Sequence, residues 1–219
     1  MAETGGVLWD LDGTLIDSAG HHWVAWRDTL AGVGRSVTEA QFAQTFGTRN
    51  DEILRDLFGE GLDPGWVEEV SETKERTYRA ILRAEGLDLL PGAEDWLARL
   101  GARGWKQALA SSAPPRNIEA AFEALRLERF LATIVSADEV GRGKPDPAIF
   151  LEAARRIGLP AERCIVVEDA PAGIEGARRA GMPSIGVLSG HHPRLAADLT
   201  VPSLAALPDD AFETLLARA

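Results

Sequence analysis

Apolar positions follow two rhythms along this chain. From Ala19 to about Leu87 they recur at helical spacing, with Trp23, Trp26 and Leu30, then Phe42 and Phe46, then Ile53, Leu54 and Leu57, then Tyr78 and Leu82, and no convincing strand interrupts them. From Leu90 onward, helical stretches alternate with short apolar runs, Gln107–Ser111, Ala132–Ser136, Cys164–Val167 and Ser184–Leu188. Strand and helix in alternation predict a parallel sheet covered on both faces. The run Val7 to Asp10 must join that sheet, so the helical block is an insertion between the first strand and the rest. The expected architecture is an α/β, Rossmann-like parallel sheet core over residues 1–16 and 89–219, with an α-helical cap over residues 17–88. Its hinges are expected at Thr14–Ser18 and Gly86–Gly92, and there is no internal repeat or low-complexity segment. A helix-like tail runs from Asp209 to Arg218, and Trp66, Trp96 and Trp105 read as packing residues, whereas Trp23 and Trp26 fit either a cap core or a substrate wall.

Composition narrows the function classes. A chain of 219 residues with 45% hydrophobic content can fill the core of one large or two small domains. Its formal charge of −11 argues against a nucleic-acid binder, which needs a basic face to displace counterions from phosphates. No apolar run approaches membrane-spanning length, and Met1–Gly6 has neither a basic start nor an apolar signal core, so a cytoplasmic location and no membrane partner are expected. The lone Cys164 lies inside an apolar run and reads as a small core residue rather than a reactive thiol. Of 23 basic residues only Lys74, Lys106 and Lys144 are lysines. In so Arg-biased a chain, the Lys in Gly143-Lys144-Pro145-Asp146-Pro147 marks a position that wants a compact ammonium rather than a planar fork.

Four strand ends carry the candidate chemistry. The first strand runs straight into acid, Val7-Leu8-Trp9-Asp10-Leu11-Asp12-Gly13-Thr14, placing two carboxylates where an α/β sheet opens its crevice. An acidic turn would use the same residue types. The second strand ends at Ser111-Ser112-Ala113-Pro114-Pro115, before a helical run from Asn117 to Leu125. Ser111 is the better phosphate ligand there, while Ser112 reads equally as a helix cap. The third is followed by Lys144, whose ammonium would keep a nearby carboxylate ionised and offset phosphoryl charge. The fourth ends in Glu168-Asp169-Ala170-Pro171, where Asp169 alone would be explained as a cap for the helix Pro171–Ala180, but two acids in a row need more. With Asp10 they offer the hard oxygens that Mg²⁺ prefers, and an acidic cluster would repel an anionic substrate without a divalent cation.

In order and content these four segments, spanning about Gly6 to Leu188, resemble the motifs of the haloacid dehalogenase superfamily, and within it the β-phosphoglucomutase-like group, whose helical cap follows the first motif. The resemblance implies that Asp10 is the nucleophile that forms an aspartyl-phosphate and that Asp12 is the acid and base. It implies that Ser111 and Lys144 serve the phosphoryl group, and that Mg²⁺ is held by the Asp10 side chain, the Asp12 carbonyl, Asp169 and Glu168. It also matches His22, in Gly20-His21-His22-Trp23, to a cap histidine that couples closure to the proton-transfer Asp; a partly exposed helix histidine is the plainer alternative. The second Asp favours phosphoryl transfer over carbon–halogen chemistry.

The cap segment Thr45-Phe46-Gly47-Thr48-Arg49-Asn50 departs from the mutases, which have a Lys immediately before the Gly and an Arg four residues later, where this chain has Phe46 and Asn50. Arg49 restores one cationic contact by a one-residue shift, and nothing else in the sequence restores both. The expected function is therefore a Mg²⁺-dependent phosphatase of a small phosphorylated metabolite, a sugar or polyol phosphate, with Arg49, Asn50, Ser112 and His22 as substrate or cap residues. A sugar phosphomutase is the alternative, and a non-catalytic binding or regulatory protein on the same fold the third reading. A monomer or weak homodimer is expected. His191 and His192 after the last strand read as residues lining the crevice mouth, or less simply as a transition-metal site.

Overall fold

In the computed structural model, which describes residues 4–188, 192 and 194–218, six parallel strands form one sheet in the order β3-β2-β1-β4-β5-β6. They are β1 (Gly6–Trp9), β2 (Lys106–Ser111), β3 (Thr133–Ser136), β4 (Cys164–Glu168), β5 (Ser184–Val187) and β6 (Leu199–Val201). The chain builds one side of the sheet through β3 and then crosses back past β1 to build the other. The order therefore reverses between β1 and β4, and the crevice of such a sheet opens at that point.

Side chains of β1 alternate between two buried layers, as a strand covered on both faces must. Val7 and Trp9 face α5 (Ala93–Ala102), α6 (Pro115–Leu125) and α10 (Ala211–Leu216). Leu8 faces the opposite layer, α8 (Ala148–Arg156) and α9 (Pro171–Arg179). The tail helix docks on its own core: Phe212 is buried against Trp9, Trp96 and Trp105. A short helix, α7 (Ala137–Val140), caps the end of β3 with a Ser136–Glu139 capping box. The sequence pattern anticipated β1 to β5 to within about two residues and missed β6 and α7, both too short to show a period.

Four helices lie between β1 and α5 in the chain: α1 (Ala19–Gly32), α2 (Glu39–Thr45), α3 (Asn50–Phe58) and α4 (Pro64–Glu85). They have their own apolar centre in Trp26, Leu30, Phe42, Phe46, Ile53 and Leu54. Trp26 is thus cap core, although it also borders the cleft described below. The chain leaves and returns side by side, since the Asp17 amide donates to Asp88 (3.0 Å) and the Leu90 amide to Leu15 (2.9 Å). Among the described residues, no helix is long and apolar enough to cross a membrane.

Candidate active site

The strand ends predicted to carry chemistry converge beside the reversal point. The Asp10 amide extends the ladder to Val167 (3.0 Å), which sets its carboxylate beside those that follow β4. Lys144 reaches in from the β3–α8 connection, and its Nζ donates at 2.5 Å both to Asp10 Oδ1 and to Glu168 Oε1. All three groups are buried. The other Glu168 oxygen accepts from the Ala170 amide (2.8 Å). Asp169 Oδ1 lies 3.5 Å from the Thr14 hydroxyl, and its Oδ2 is buried without a partner. The helix-cap alternative for Asp169 is not what the structure has: Ala170 is the N-cap of α9, with no side-chain cap.

One oxygen each from Asp10, Glu168 and Asp169 lies within 4.8 Å of the others. Burial pushes the Asp10 carboxyl up to about 7 against the pull of Lys144. Burial, reinforced by Glu168 and Asp10, pushes Asp169 well above the usual carboxylate range. Three buried carboxylates facing one ammonium, with one orphaned oxygen, form a hard-oxygen donor set short of positive charge, and it fits a divalent cation such as Mg²⁺. Gly13 makes this approach possible. Its φ is +82°, and a Cβ there would fall 2.1 Å from Asp169 Oδ2, so backbone and space both require glycine.

Asp12 turns the other way, towards the helices. Its Oδ1 accepts from Ser18 Oγ (2.5 Å) and lies 3.2 Å from His22 Nε2. On the far side of the ring, Lys74 Nζ lies 2.8 Å from His22 Nδ1. An ammonium can only donate. Nδ1 therefore accepts and Nε2 carries the proton that it donates to Asp12, so the imidazole is neutral and its tautomer is set by Lys74. Burial and the Lys74 charge hold the His22 pKa below its ordinary value despite Asp12, in keeping with that assignment. Burial favours the neutral form of Asp12, but His22 and Ser18 outweigh it and hold the carboxyl below the usual range. The ring also stacks on Tyr78, with centroids 3.9 Å apart and planes 7° from parallel. The exposed-helix alternative for His22 is thereby excluded.

Glu75 closes this polar chain. It accepts from Lys74 (2.8 Å) and Asn50 (2.7 Å) on one oxygen and from Asn117 of α6 (2.5 Å) on the other. Burial would raise its pKa, but Lys74 and Asn117 bring it down to about 2. A carboxyl with a depressed folded-state pKa stabilises the fold above its unfolded value, near 4.5, and that stability is lost as pH falls towards 2. Glu75→Gln is therefore expected to be less stable than the parent by on the order of 3 kcal/mol at pH 7, with the gap closing below pH 4.5. Urea unfolding across that window measures it, and a gap undiminished at pH 3 rules the charge out as its cause.

These groups border a cleft of about 1010 Å³ between the helices and the strand ends, lined by Asp10, Asp12, Ser111 and Ser112 on one side and by His22, Arg49, Asn50 and Lys74 on the other. Ser111 Oγ accepts from the Ala113 amide (3.0 Å), leaving its O–H to donate. The N-cap of α6 is Pro114, so Ser112 is not a helix cap; its Oγ is buried and without a partner. Arg49 donates to Asp51 (3.1 Å) and lies 3.7 Å from Asp138. Asn50 is committed to Glu75, and Phe46 is buried beside Phe42 and His22. The expectation that the sequence supplies no further cations needs correction, because Arg76, Arg79 and Arg116 also line the cleft. Cys164 is inert, its buried thiol pushed up to about 12. His191 lies outside the described residues, so the two-histidine site expected after β5 falls partly beyond them.

The family model described as haloacid dehalogenase-like hydrolase matches residues 4–181, which include all four strand ends of the site. The chain belongs to that family. It is similar in sequence to phosphoryl-transfer enzymes. It is 33% identical to the Bacillus subtilis beta-phosphoglucomutase over 89% of this chain and 88% of that protein. It is 30% identical to the Thermotoga maritima phosphorylated carbohydrates phosphatase over 82% of each. The fold superposes on the beta-phosphoglucomutase of Clostridium difficile with a TM-score of 0.86 at 25% identity, covering 99% of this chain and 98% of the other. The haloacid dehalogenase member described here is thus an enzyme, a phosphoric monoester hydrolase or phosphomutase.

Reading the sequence missed Lys74, Glu75, Tyr78, Arg79 and Asn117. A signal was present for one of them. Val70, Lys74, Tyr78 and Leu82 recur every fourth residue and are all buried, so Lys74 is an ion in an apolar stripe, in a chain whose basic residues are mostly arginine.

Proposed function

We propose that this protein is a Mg²⁺-dependent phosphatase of a small phosphorylated metabolite, a sugar or polyol phosphate, working through an aspartyl-phosphate on Asp10. The observation that carries this reading is the opposite setting of two carboxylates two residues apart: Asp10 pairs with an ammonium inside the core, and Asp12 is tied to the helices through Ser18 and His22. That division suits a nucleophile and a separate proton carrier.

In the first step an Asp10 oxygen attacks phosphorus and the bond to the ester oxygen breaks, the leaving oxygen taking a proton from Asp12. Entry of the phosphate dianion beside Asp12 supplies the like charge that raises its pKa and loads that proton. Asp12, left as the carboxylate that Ser18 and His22 favour, then takes a proton from the water that attacks the phosphoaspartate and frees phosphate. Lys144 favours the ionised form of Asp10 against its burial and, with the Ser111 hydroxyl, faces the phosphoryl oxygens. Asp10 and Asp169, with the Asp12 carbonyl, would hold Mg²⁺. Both Glu168 oxygens already accept hydrogen bonds, so its part is chiefly to hold Lys144. Bound there, Mg²⁺ supplies positive charge against the phosphoryl oxygens. In this reading residues 17–88 act as the cap over a core of residues 1–16 and 89–219.

Phe46 and Asn50 favour water as the final acceptor, since neither gives the cap a cation where the mutases have one. A phosphomutase is the second reading, favoured by Arg79 and Arg116, which border the same cleft. The test is phosphate release from a panel of sugar and polyol phosphates with Mg²⁺ and with EDTA, following glucose 6-phosphate as well for β-glucose 1-phosphate. Free phosphate is expected, falling by about a hundredfold or more in EDTA. Glucose 6-phosphate without free phosphate identifies a mutase, and turnover undiminished by EDTA removes the metal from the scheme.

A further inference from the structure

The cleft continues into a second cavity of about 480 Å³ whose lining is unusual for so acidic a chain: Arg76, Arg79, Arg83 and Arg116, with Glu119 and Glu123. Three of these arginines, Arg76, Arg79 and Arg116, line both spaces, so the second cavity is a side chamber of the first. Residues 76, 79 and 83 fall on one face of α4 at spacings of three and four, and Arg116 faces them from the first turn of α6. Among the described residues Arg79, Arg83 and Arg116 make no ion pair, whereas Arg76 lies 3.7 Å from an exposed Glu72. Elsewhere the helices pair their arginines locally, as in Glu152 with Arg155 and Arg156 and in Glu175 with Arg178 and Arg179. Here four arginines gather from two helices around two glutamates, Glu119 and Glu123, and three of the four arginines have no ion-pair partner among the described residues, an excess of positive charge that an anion relieves.

Arg79 is the half-buried member of the group, and its orientation is set. Its Nη1 donates to Asn117 Oδ1 (2.7 Å), while the amide nitrogen of Asn117 donates to Glu75. The guanidinium is thus held at the wall of the cleft that contains Asp10 and Asp12, with donors left over.

We propose that Arg79 and Arg116, flanked by Arg76 and Arg83, form a subsite for a second anionic group on the substrate. The preferred substrate then belongs to the compounds that carry a phosphate ester at one end and a phosphate or carboxylate at the other, rather than to neutral sugar monophosphates. This rests on the phosphatase reading above and specifies its substrate class. The departures at Phe46 and Asn50 fit it, because the cationic contact they lack is supplied from α4 and α6 instead.

The experiment measures kcat/KM of the Mg²⁺-loaded enzyme for three matched sets of compounds. They are sugar monophosphates, the corresponding bisphosphates, and phosphorylated hydroxy acids; the last two separate a phosphate from a carboxylate at the second position. Arg116→Ala, Arg79→Ala and the double variant are measured beside the parent. The parent is expected to favour one doubly anionic set over the monophosphates by about tenfold or more, and the double variant to lose most of that ratio. Arg116 is exposed, so Arg116→Glu, which invites no folding defect, is expected to reverse the preference on its own. Equal kcat/KM across the sets, or a ratio unmoved by the double variant, overturns the proposal. A binding arm separates this from failure of the phosphatase reading. Calorimetric titration of Asp10→Asn with the same compounds is expected to show tighter binding of a doubly anionic set, weakened by Arg116→Glu. If no compound is turned over but that pattern appears, the subsite stands and the catalytic reading falls; if the pattern is missing, the subsite falls whatever the turnover.

Discussion

Asp10→Asn is expected to lower kcat by about ten-thousand-fold or more on every substrate, because an amide nitrogen or carbonyl cannot replace the carboxylate that attacks phosphorus. The fold should survive the change. The Asp10 carboxyl is buried and its pKa is pushed up to about 7, so the ionised form is already penalised by its surroundings, and an amide of the same shape still offers Lys144 an acceptor. Activity and stability should therefore separate. Phosphate release and thermal unfolding on the same preparation check this, and a variant retaining more than about one hundredth of parental kcat while folded removes Asp10 as the nucleophile.

Lys144→Ala is expected to have the second-largest effect, and on stability as well as rate. The ammonium is the only cation bonded to Asp10 and Glu168 among the described residues. Burial pulls its pKa down, but Asp10 and Glu168 outweigh burial and keep it charged. Removing one partner of a buried ion pair leaves uncompensated charge, at a cost of about 3–5 kcal/mol. Asp10, already high, and Asp169 would then titrate higher still. A carboxyl whose folded-state pKa is raised binds more protons folded than unfolded between the two values, so stability falls as pH rises through that window. The variant should consequently be least stable near pH 8 and recover towards pH 5. Urea unfolding at those pH values, with and without Mg²⁺, tests it. Mg²⁺ should restore part of the loss by replacing the missing positive charge, and a deficit below about 1 kcal/mol at pH 8 means that the ammonium is not what holds the carboxylates together.

The two halves of the site differ in how legible they were. Asp10, Ser111, Glu168 and Asp169 each stand at or just beyond a strand end, where an apolar run stops at a polar residue, and a parallel sheet gathers such ends along one edge; Lys144, farther along the connection after β3, stood out as a lysine in an arginine-rich chain. Alternation along the chain therefore carried both the layers and the acid cluster. The helical half gave much less away. Lys74 and Glu75 occupy helix positions whose neighbours in sequence are surface residues, and their partners His22, Asn50 and Asn117 come from three other helices. The local pattern of α4 has no trace of those partners, and Arg49, which the pattern favoured, is engaged with Asp51 beside Asp138.

The sequence by itself determined the sheet, the helical insertion after β1 and the residues at the mouth of the crevice, because strand and helix periods and the polar residues that end strands are local properties. Only the tertiary structure decided that Lys74 sets the tautomer of His22, that Asp169 leaves an oxygen without a partner, and that four arginines of α4 and α6 face one chamber. Those are properties of side chains brought together from distant positions, and they depend on how the insertion packs against the sheet, which no stretch of the chain encodes on its own.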